Sequence, residues 1–305
     1  MAVDLTVEIA GLRLANPVLA SSGTFGYGLE FAHLVDLNQL GGIVVKGLSV
    51  EPMEGAPAPR VCETPSGMLN AIGLQNVGVR AFVAEKLPKL EVYRTAIVAN
   101  VFGNTVEEYC EVLRILEDAP GLAAYELNIS CPNVKRGGLQ FGSDPAMAAE
   151  VVGAAKRAIS KRTLWVKLSP LVSDIGAMAR AVAEAGADAL TIANTYPAMW
   201  LDVATRKSRI ASPSGGLSGP AIKPITLRLV HEASKAVKLP ILGLGGVEKP
   251  DDVLAYMLAG ASAVQVGTAH FTDPRASERI SKGLERRCTE LNINRISEIR
   301  CGFQP

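Results

Sequence analysis

The chain contains no cysteines spaced as C-x-x-C, no long hydrophobic run, no excess of one charge and only 3 histidines. Each absence removes a class of function. Five cysteines (Cys62, Cys110, Cys131, Cys288 and Cys301) are scattered through 305 residues. Their odd number and irregular spacing argue against a zinc or iron–sulfur site in this chain and for a reducing compartment, with the cytoplasm expected. No apolar stretch reaches the ~20 residues of a membrane span. The first residues, interrupted by Asp4, Glu8 and Arg13, lack the order of a secretion signal. Lysine and arginine number 31 against 30 acidic residues, a formal net charge of +1. No field is left to draw nucleic acid or an anionic membrane. There is no Walker sequence, and Gly243-Leu244-Gly245-Gly246-Val247-Glu248 fails the dinucleotide fingerprint at its last position.

What is present is a repeated ending. Gly42-Ile43-Val44-Val45 runs into Lys46, Ala96 to Ala99 into Asn100, and Tyr125-Glu126-Leu127 into Asn128. Leu164-Trp165-Val166 runs into Lys167, Leu190 to Ala193 into Asn194-Thr195, and Ile241 to Leu244 into Gly245-Gly246. Continuous apolar stretches are the mark of parallel strands buried on both faces. Polar residues at the same end of several such strands imply one shared site at the C-terminal rim of a sheet, the functional rim of a (β/α)₈ barrel.

Eight runs are expected as barrel strands: Pro17–Ala20, Ile43–Lys46, Ala96–Asn100, Tyr125–Ile129, Leu164–Lys167, Ala189–Ala193, Ile241–Gly243 and Ala263–Val266. Helical spacing is read over Val106–Glu117, Pro145–Ser160, Ile175–Ala185, Ile222–Val237, Pro250–Leu258, Ala276–Leu291 and, most weakly, Leu29–Leu37. Alternation from Thr6 to Leu14 around Ala10-Gly11 reads as a β-hairpin before the barrel. A faint repeat, Glu184 to Thr191 against Leu258 to Gln265, joins a helix end, a glycine and a strand in both copies. The fold expected is an α/β (β/α)₈ TIM barrel forming one domain over residues 1–305. Three connections, Gly47–Val77, Ser130–Ser143 and Thr195–Gly219, exceed simple links and fall on the polar rim, where long structureless loops usually serve binding.

The chemistry follows from residue type. Lys46 and Lys167 close two strands; each could merely reach solvent along its aliphatic stem, but an ammonium at the rim also stabilises a carboxylate or a developing negative charge. Gly245-Gly246 and Gly267-Thr268 follow the seventh and eighth strands, where backbone N–H groups of such barrels cradle phosphate; alternatively they make tight turns. Pro250-Asp251-Asp252 reads as the helix start behind them. Cys110 reads as an inert core residue on its helix. Cys131, between Ser130 and Pro132 and near Asn128 and Asn133, stands instead in a rim loop. A thiol of reference pKa about 8.5 can take a proton there. The histidine nearest in sequence, His231, lies in an expected helix behind the rim, so proton abstraction is preferred to Cys–His acyl transfer. Thr64 to Asn76 could present backbone donors and the Asn70 amide to a flat polar ligand.

Four segments together carry a specific resemblance: Ala20 to Gly26, Asn70 to Asn76, Asn128 to Asn133, and Gly216-Leu217-Ser218-Gly219-Pro220. Over essentially its whole length the chain resembles the dihydroorotate dehydrogenases. A cysteine at position 131 is similar to the soluble class 1 enzymes; the membrane-associated class has serine there and an N-terminal extension. The Asn70 to Asn76 run resembles the catalytic subunit of the NAD-linked class 1B type. The resemblance implies FMN across the barrel mouth, touching Ser22, Lys46, Gly47, Asn100, Asn128, Lys167, Ala193, Gly219, Gly245, Gly246, Gly267 and Thr268. It implies a dihydroorotate site at Lys46, Asn70, Ala71, Ile72, Gly73, Leu74, Asn128, Asn194 and Thr195. Cys131 would remove the C5 proton while C6 gives hydride to flavin N5, and Lys167 would stabilise charge near flavin N1. Val134-Lys135-Arg136-Gly137-Gly138 could serve as a glycine-hinged lid. With no iron–sulfur cysteines, NAD reduction would need a partner subunit carrying FAD and an iron–sulfur cluster, in a heterotetramer built on a homodimer of this chain.

Rival readings remain open at this level. They are a fumarate-linked class 1A enzyme, an FMN-dependent dihydropyrimidine dehydrogenase acting on uracil or thymine, a Schiff-base aldolase using Lys167, and a non-catalytic phosphate-ligand barrel. A carboxylated ligand suits Lys46 better than uracil does.

Overall fold

The computed structural model describes residues 3–130 and 141–304. Its strands in chain order are β1 (Val7–Ile9), β2 (Leu12–Leu14), β3 (Val18–Ala20), β4 (Gly42–Val44), β5 (Val61–Thr64) and β6 (Gly67–Asn70). There follow β7 (Ala96–Val101), β8 (Ala124–Asn128), β9 (Thr163–Lys167), β10 (Ala189–Ile192) and β11 (Tyr196–Ala198). The last are β12 (Leu201–Asp202), β13 (Lys207–Ser208), β14 (Gly215–Ser218), β15 (Ile241–Leu244) and β16 (Ala263–Val266).

Eight parallel strands close a barrel in the order β10-β15-β16-β3-β4-β7-β8-β9. The eight apolar runs are these strands, displaced by at most a residue or two. Continuous apolar sequence is required because both faces are covered: β4 and β8 are buried at every position. Outward residues pack on helices; a Cβ on Gly243 would overlap the Tyr256 ring of the helix Pro250–Leu258. Inward residues fill the lumen, which makes the barrel a packed core. The hairpin β1–β2 turns at Ala10 and Gly11, both at positive φ.

The helices begin where side chains satisfy exposed backbone donors. Thr105 accepts from the Glu108 amide, Asp144 from those of Ala146 and Met147, and Asp174 from that of Ala177. Each such cap contributes about 1 kcal/mol. Among the described residues, no helix is long and apolar enough to cross a membrane.

Three expectations need correction. Leu29–Leu37 is not one helix but two single 3₁₀ turns, Leu29–Phe31 and Leu37–Gln39. The Glu30 carboxylate accepts from the Tyr27 amide and that of Asp36 from the Asn38 amide, local bonds that compete with helix continuation. A helix over 79–90 was not anticipated. Its buried residues Val79, Phe82, Leu87 and Leu90 are spaced by three, five and three because a wide π-type turn, Phe82–Lys86, interrupts it. Finally, the long connections after the second and sixth barrel strands are not structureless. They pair with each other as an antiparallel sheet, β11-β14-β6-β5, over the C-terminal rim.

Candidate active site

Every described residue that the sequence nominated lines one cavity of about 580 Å³ at the barrel mouth. Ser22 follows β3, and Lys46 and Gly47 follow β4. Asn100 and Asn128 lie on β7 and β8, and Lys167 ends β9. Ala193, Asn194 and Thr195 follow β10, with the Ile192–Ala193 peptide cis. Gly219 follows β14, Gly245 and Gly246 follow β15, and Gly267 and Thr268 follow β16. Asn70 to Leu74 come from the covering sheet and the turn after it, Gly73 and Leu74 both at positive φ. Cys131 and the Val134 to Gly138 segment lie outside the described residues.

The lining carries two ammonium groups and no carboxylate among the described residues. Lys167 is only 4% exposed. Lys46 forms no ion pair among the described residues. Burial, with the positive charges of Arg60 and Lys167, pushes its pKa below the ordinary lysine value. A cationic side chain held in partial desolvation without a counter-charge is suited to an incoming anion.

The opposite wall is built from backbone. Gly219, Gly245 and Gly246 all have positive φ, and a Cβ on Gly246 would stand 2.8 Å from the Gly219 carbonyl. Gly267 is similarly tight, its hypothetical Cβ 3.0 Å from Ser21 Oγ. No acceptor among the described residues takes the backbone N–H of Gly246, Gly267 or Thr268. Close backbone approach with free donors fits a phosphate. The rest of the lining, amides with two lysines, fits the alternating donors and acceptors of a flavin ring. On these grounds the residues present fit FMN.

A polar chain joins the site residues. The hydroxyl of Ser130 donates to Asn128 Oδ1 at 2.8 Å, and Asn194 Nδ2 donates to Ser130 Oγ at 2.7 Å. Asn194 Oδ1 in turn accepts from the Thr195 amide at 2.8 Å. Asn70 Nδ2 donates to the Gly216 carbonyl at 3.0 Å, tying β6 to β14. Thr268 Oγ1 donates to Ser218 Oγ at 2.8 Å and links the eighth barrel strand to the covering sheet.

Sequence reasoning missed Met68, Phe102, Asn104 and Ser218, which also face the cavity. It also passed over Glu126 on β8, whose buried carboxylate lies below the rim. The available signal was a lone charged residue inside Tyr125-Glu126-Leu127.

Fold and cavity together define a (β/α)₈ barrel whose mouth carries two ammonium groups and backbone N–H groups that find no acceptor among the described residues. The chain belongs to the dihydroorotate dehydrogenase family: the family model described as "Dihydroorotate dehydrogenase" matches residues 4–288. A Pelobacter propionicus relative named "Dihydroorotate dehydrogenase B (NAD(+)), catalytic subunit" is 54% identical over 299 residues, 98% of each chain. A Solibacter usitatus relative, provisionally named a dihydroorotate dehydrogenase A (fumarate), is 56% identical over 299 residues, again 98% of each. Among solved structures, DHODH from Eimeria tenella in complex with ferulenol superposes with a TM-score of 0.80 at 21% identity. That match covers 97% of this chain and 88% of the other, a likeness of fold.

Proposed function

We propose that this chain is the catalytic subunit of an FMN-dependent dihydroorotate dehydrogenase, oxidising (S)-dihydroorotate to orotate in pyrimidine biosynthesis, in the cytoplasm. The observation that carries the reading is the cavity lining: Lys46 and Lys167 with Asn70, Asn100, Asn128 and Asn194, and no carboxylate among the described residues. FMN, when bound, supplies the hydride acceptor for C6 of the substrate. It would be held by Ser22, Lys46, Gly47, Asn100, Asn128, Lys167, Ala193, Gly219 and the two glycine turns.

The chain's own residues do the rest. The Lys46 ammonium attracts the substrate carboxylate and offsets its charge in a partly dry site. Asn70, Asn128 and Asn194 each donate and accept, matching a ring of alternating N–H and C=O. Ala71 to Leu74 and Thr195 close the substrate's other edge. Cys131 takes the C5 proton as general base. Lys167, buried at the end of β9, places positive charge where electron density accumulates.

The acceptor beyond this chain is assigned to NAD, reached through a partner subunit with FAD and an iron–sulfur cluster in a heterotetramer. The name of the Pelobacter relative, with its NAD(+) and its "catalytic subunit", supports the acceptor and the need for a partner. The Solibacter relative favours a second reading, direct reduction of fumarate by a homodimer. Purified protein tests both levels. It should be yellow, release FMN on denaturation, and show a flavin absorption change with orotate but not uracil. A colourless protein trapped by borohydride on a carbonyl substrate would overturn the assignment in favour of a Schiff-base enzyme. Rapid turnover with fumarate by the isolated chain would move it to the second reading, and rapid NAD reduction would remove the partner.

A further inference from the structure

Below the rim, one carboxylate is fully enclosed. Glu126 on β8 has no exposed surface, and three side chains from three other strands donate to it. Asn100 Nδ2 of β7 reaches Oε1 at 2.7 Å, and the Thr191 hydroxyl of β10 reaches Oε2 at 2.7 Å. Gln265 Nε2 of β16, on the far wall of the barrel, reaches Oε2 at 2.5 Å. Packing alone does not require a charge at this point.

Glu126 accepts from all three neighbours and donates to none of them, whereas a carboxamide can turn either way. Glu126 therefore dictates which end each neighbouring amide presents. Gln265 turns its N–H₂ inward, and its Oε1 is left buried without a partner among the described residues. Asn100 turns its N–H₂ down, so that its Oδ1 faces the cavity side, 3.5 Å from Asn128 Nδ2. Asn128 then offers Oδ1 to the Ser130 hydroxyl, Ser130 Oγ accepts from Asn194 Nδ2, and Asn194 Oδ1 accepts from the Thr195 amide. The carboxylate at one end and the Thr195 N–H, a fixed donor, at the other thus hold one direction along a chain that crosses β7, β8 and the turn after β10.

We propose that Glu126 is a positioning residue that fixes the polarity of the Asn100 and Asn128 amides, and with it the pattern of donors and acceptors shown to a flavin and a pyrimidine. The inference rests on the function proposed above. Glu126→Gln keeps size and removes the constraint, since its amide can donate as well as accept. The Asn100 and Asn128 amides can then turn, and affinity should fall about tenfold, the scale of one mispaired buried polar group.

The experiment compares Kd values for FMN, from quenching of flavin fluorescence by apoprotein, and for orotate, from the visible spectrum of the FMN-loaded protein. Thr191→Val is the control: it removes one donor to the same carboxylate and a 3.3 Å contact from Gln265 Nε2 but leaves Asn100 facing the carboxylate, and should leave both Kd values within about twofold. The double variant Glu126→Gln/Gln265→Glu restores an acceptor-only group across the lumen. That group draws the N–H₂ of the introduced carboxamide toward itself, so that the carboxamide oxygen again meets Asn100, and most of the lost affinity should return. If Glu126→Gln binds both ligands as wild type, or if Thr191→Val loses as much, the proposal is overturned. So it is if the folded double variant recovers nothing. A wild-type protein that binds FMN but not orotate would instead sink the proposed substrate, while the FMN ratios still decide the role of Glu126.

Discussion

The hydroxyl of Tyr256 donates to the carbonyl of Gly245 at 2.6 Å, anchoring the glycine turn at the barrel mouth to the helix behind it. The tyrosine is wholly buried against Gly243, and burial raises its pKa far above the ordinary range. Tyr256→Phe keeps the packing and removes that anchor. It should lower stability by about 1 kcal/mol in denaturant unfolding and speed FMN loss, followed as recovery of free flavin fluorescence. Gly243→Ala, whose methyl would overlap the Tyr256 ring, should be the more damaging of the two.

A second contact sits at the covering sheet. A Cβ on Gly216 would overlap the Thr195 hydroxyl. Gly216→Ala is expected to displace Thr195 and weaken orotate by about tenfold, with the thermal transition moved little because the substitution lies outside the barrel core. Equal orotate titrations of variant and wild type would remove Thr195 from the substrate site.

Lys46 gives a pH dependence of known sign. Its folded-state pKa lies below the reference 10.5. Between the two values the unfolded chain holds a proton that the folded chain has released, so ligand-free stability rises with pH across that window. A bound carboxylate favours the charged form, so orotate affinity should fall as pH rises through the lowered value. Both slopes should be missing in Lys46→Met, measured by chemical denaturation and by spectral titration.

His270, just beyond Gly267-Thr268, acts at the acid end. Burial lowers its pKa from 6.5 to about 4. Its Nε2 lies 2.8 Å from Ser277 Oγ, and the ring packs against that of Phe25. Below 6.5 the unfolded chain takes up a proton that the folded chain refuses until about 4. Stability should therefore drop by about 3 kcal/mol across that interval. His270→Gln should lack this component in the difference between the two pH profiles, and a parallel profile would show that the imidazole does not titrate there.

Cys131→Ala should leave FMN and orotate binding near wild type while slowing anaerobic flavin reduction by at least the ~10²-fold of a lost general base. Equal loss of binding and rate would make the residue structural.

How much of this was legible depended on what each residue had to satisfy. The barrel strands were, because segments such as Gly42–Val44 are covered on both faces and apolar throughout, and Val106–Glu117 keeps one unbroken helical stripe. The cavity lining was legible because Lys46, Asn100, Asn128 and Lys167 break that apolar rule at one end of a strand. The helix over 79–90 was hidden by its π-type turn, which shifts Leu87 out of register with Phe82. The covering sheet was hidden because Val61–Thr64 is half exposed and Gly215–Ser218 begins with two glycines, so neither pairing can be seen without its partner. Glu126 was in plain view but unreadable, since its meaning lies in Thr191 and Gln265 across the lumen.

The roof over the mouth is stitched from two distant stretches of chain, as in the bond from Asn70 to Gly216 across 146 residues. A ribosome-bound chain that has passed β10 already owns most barrel strands yet carries only β5 and β6 of that cover. Ligand capture is thereby deferred until synthesis has gone beyond Thr268, when the cover and both glycine turns are complete.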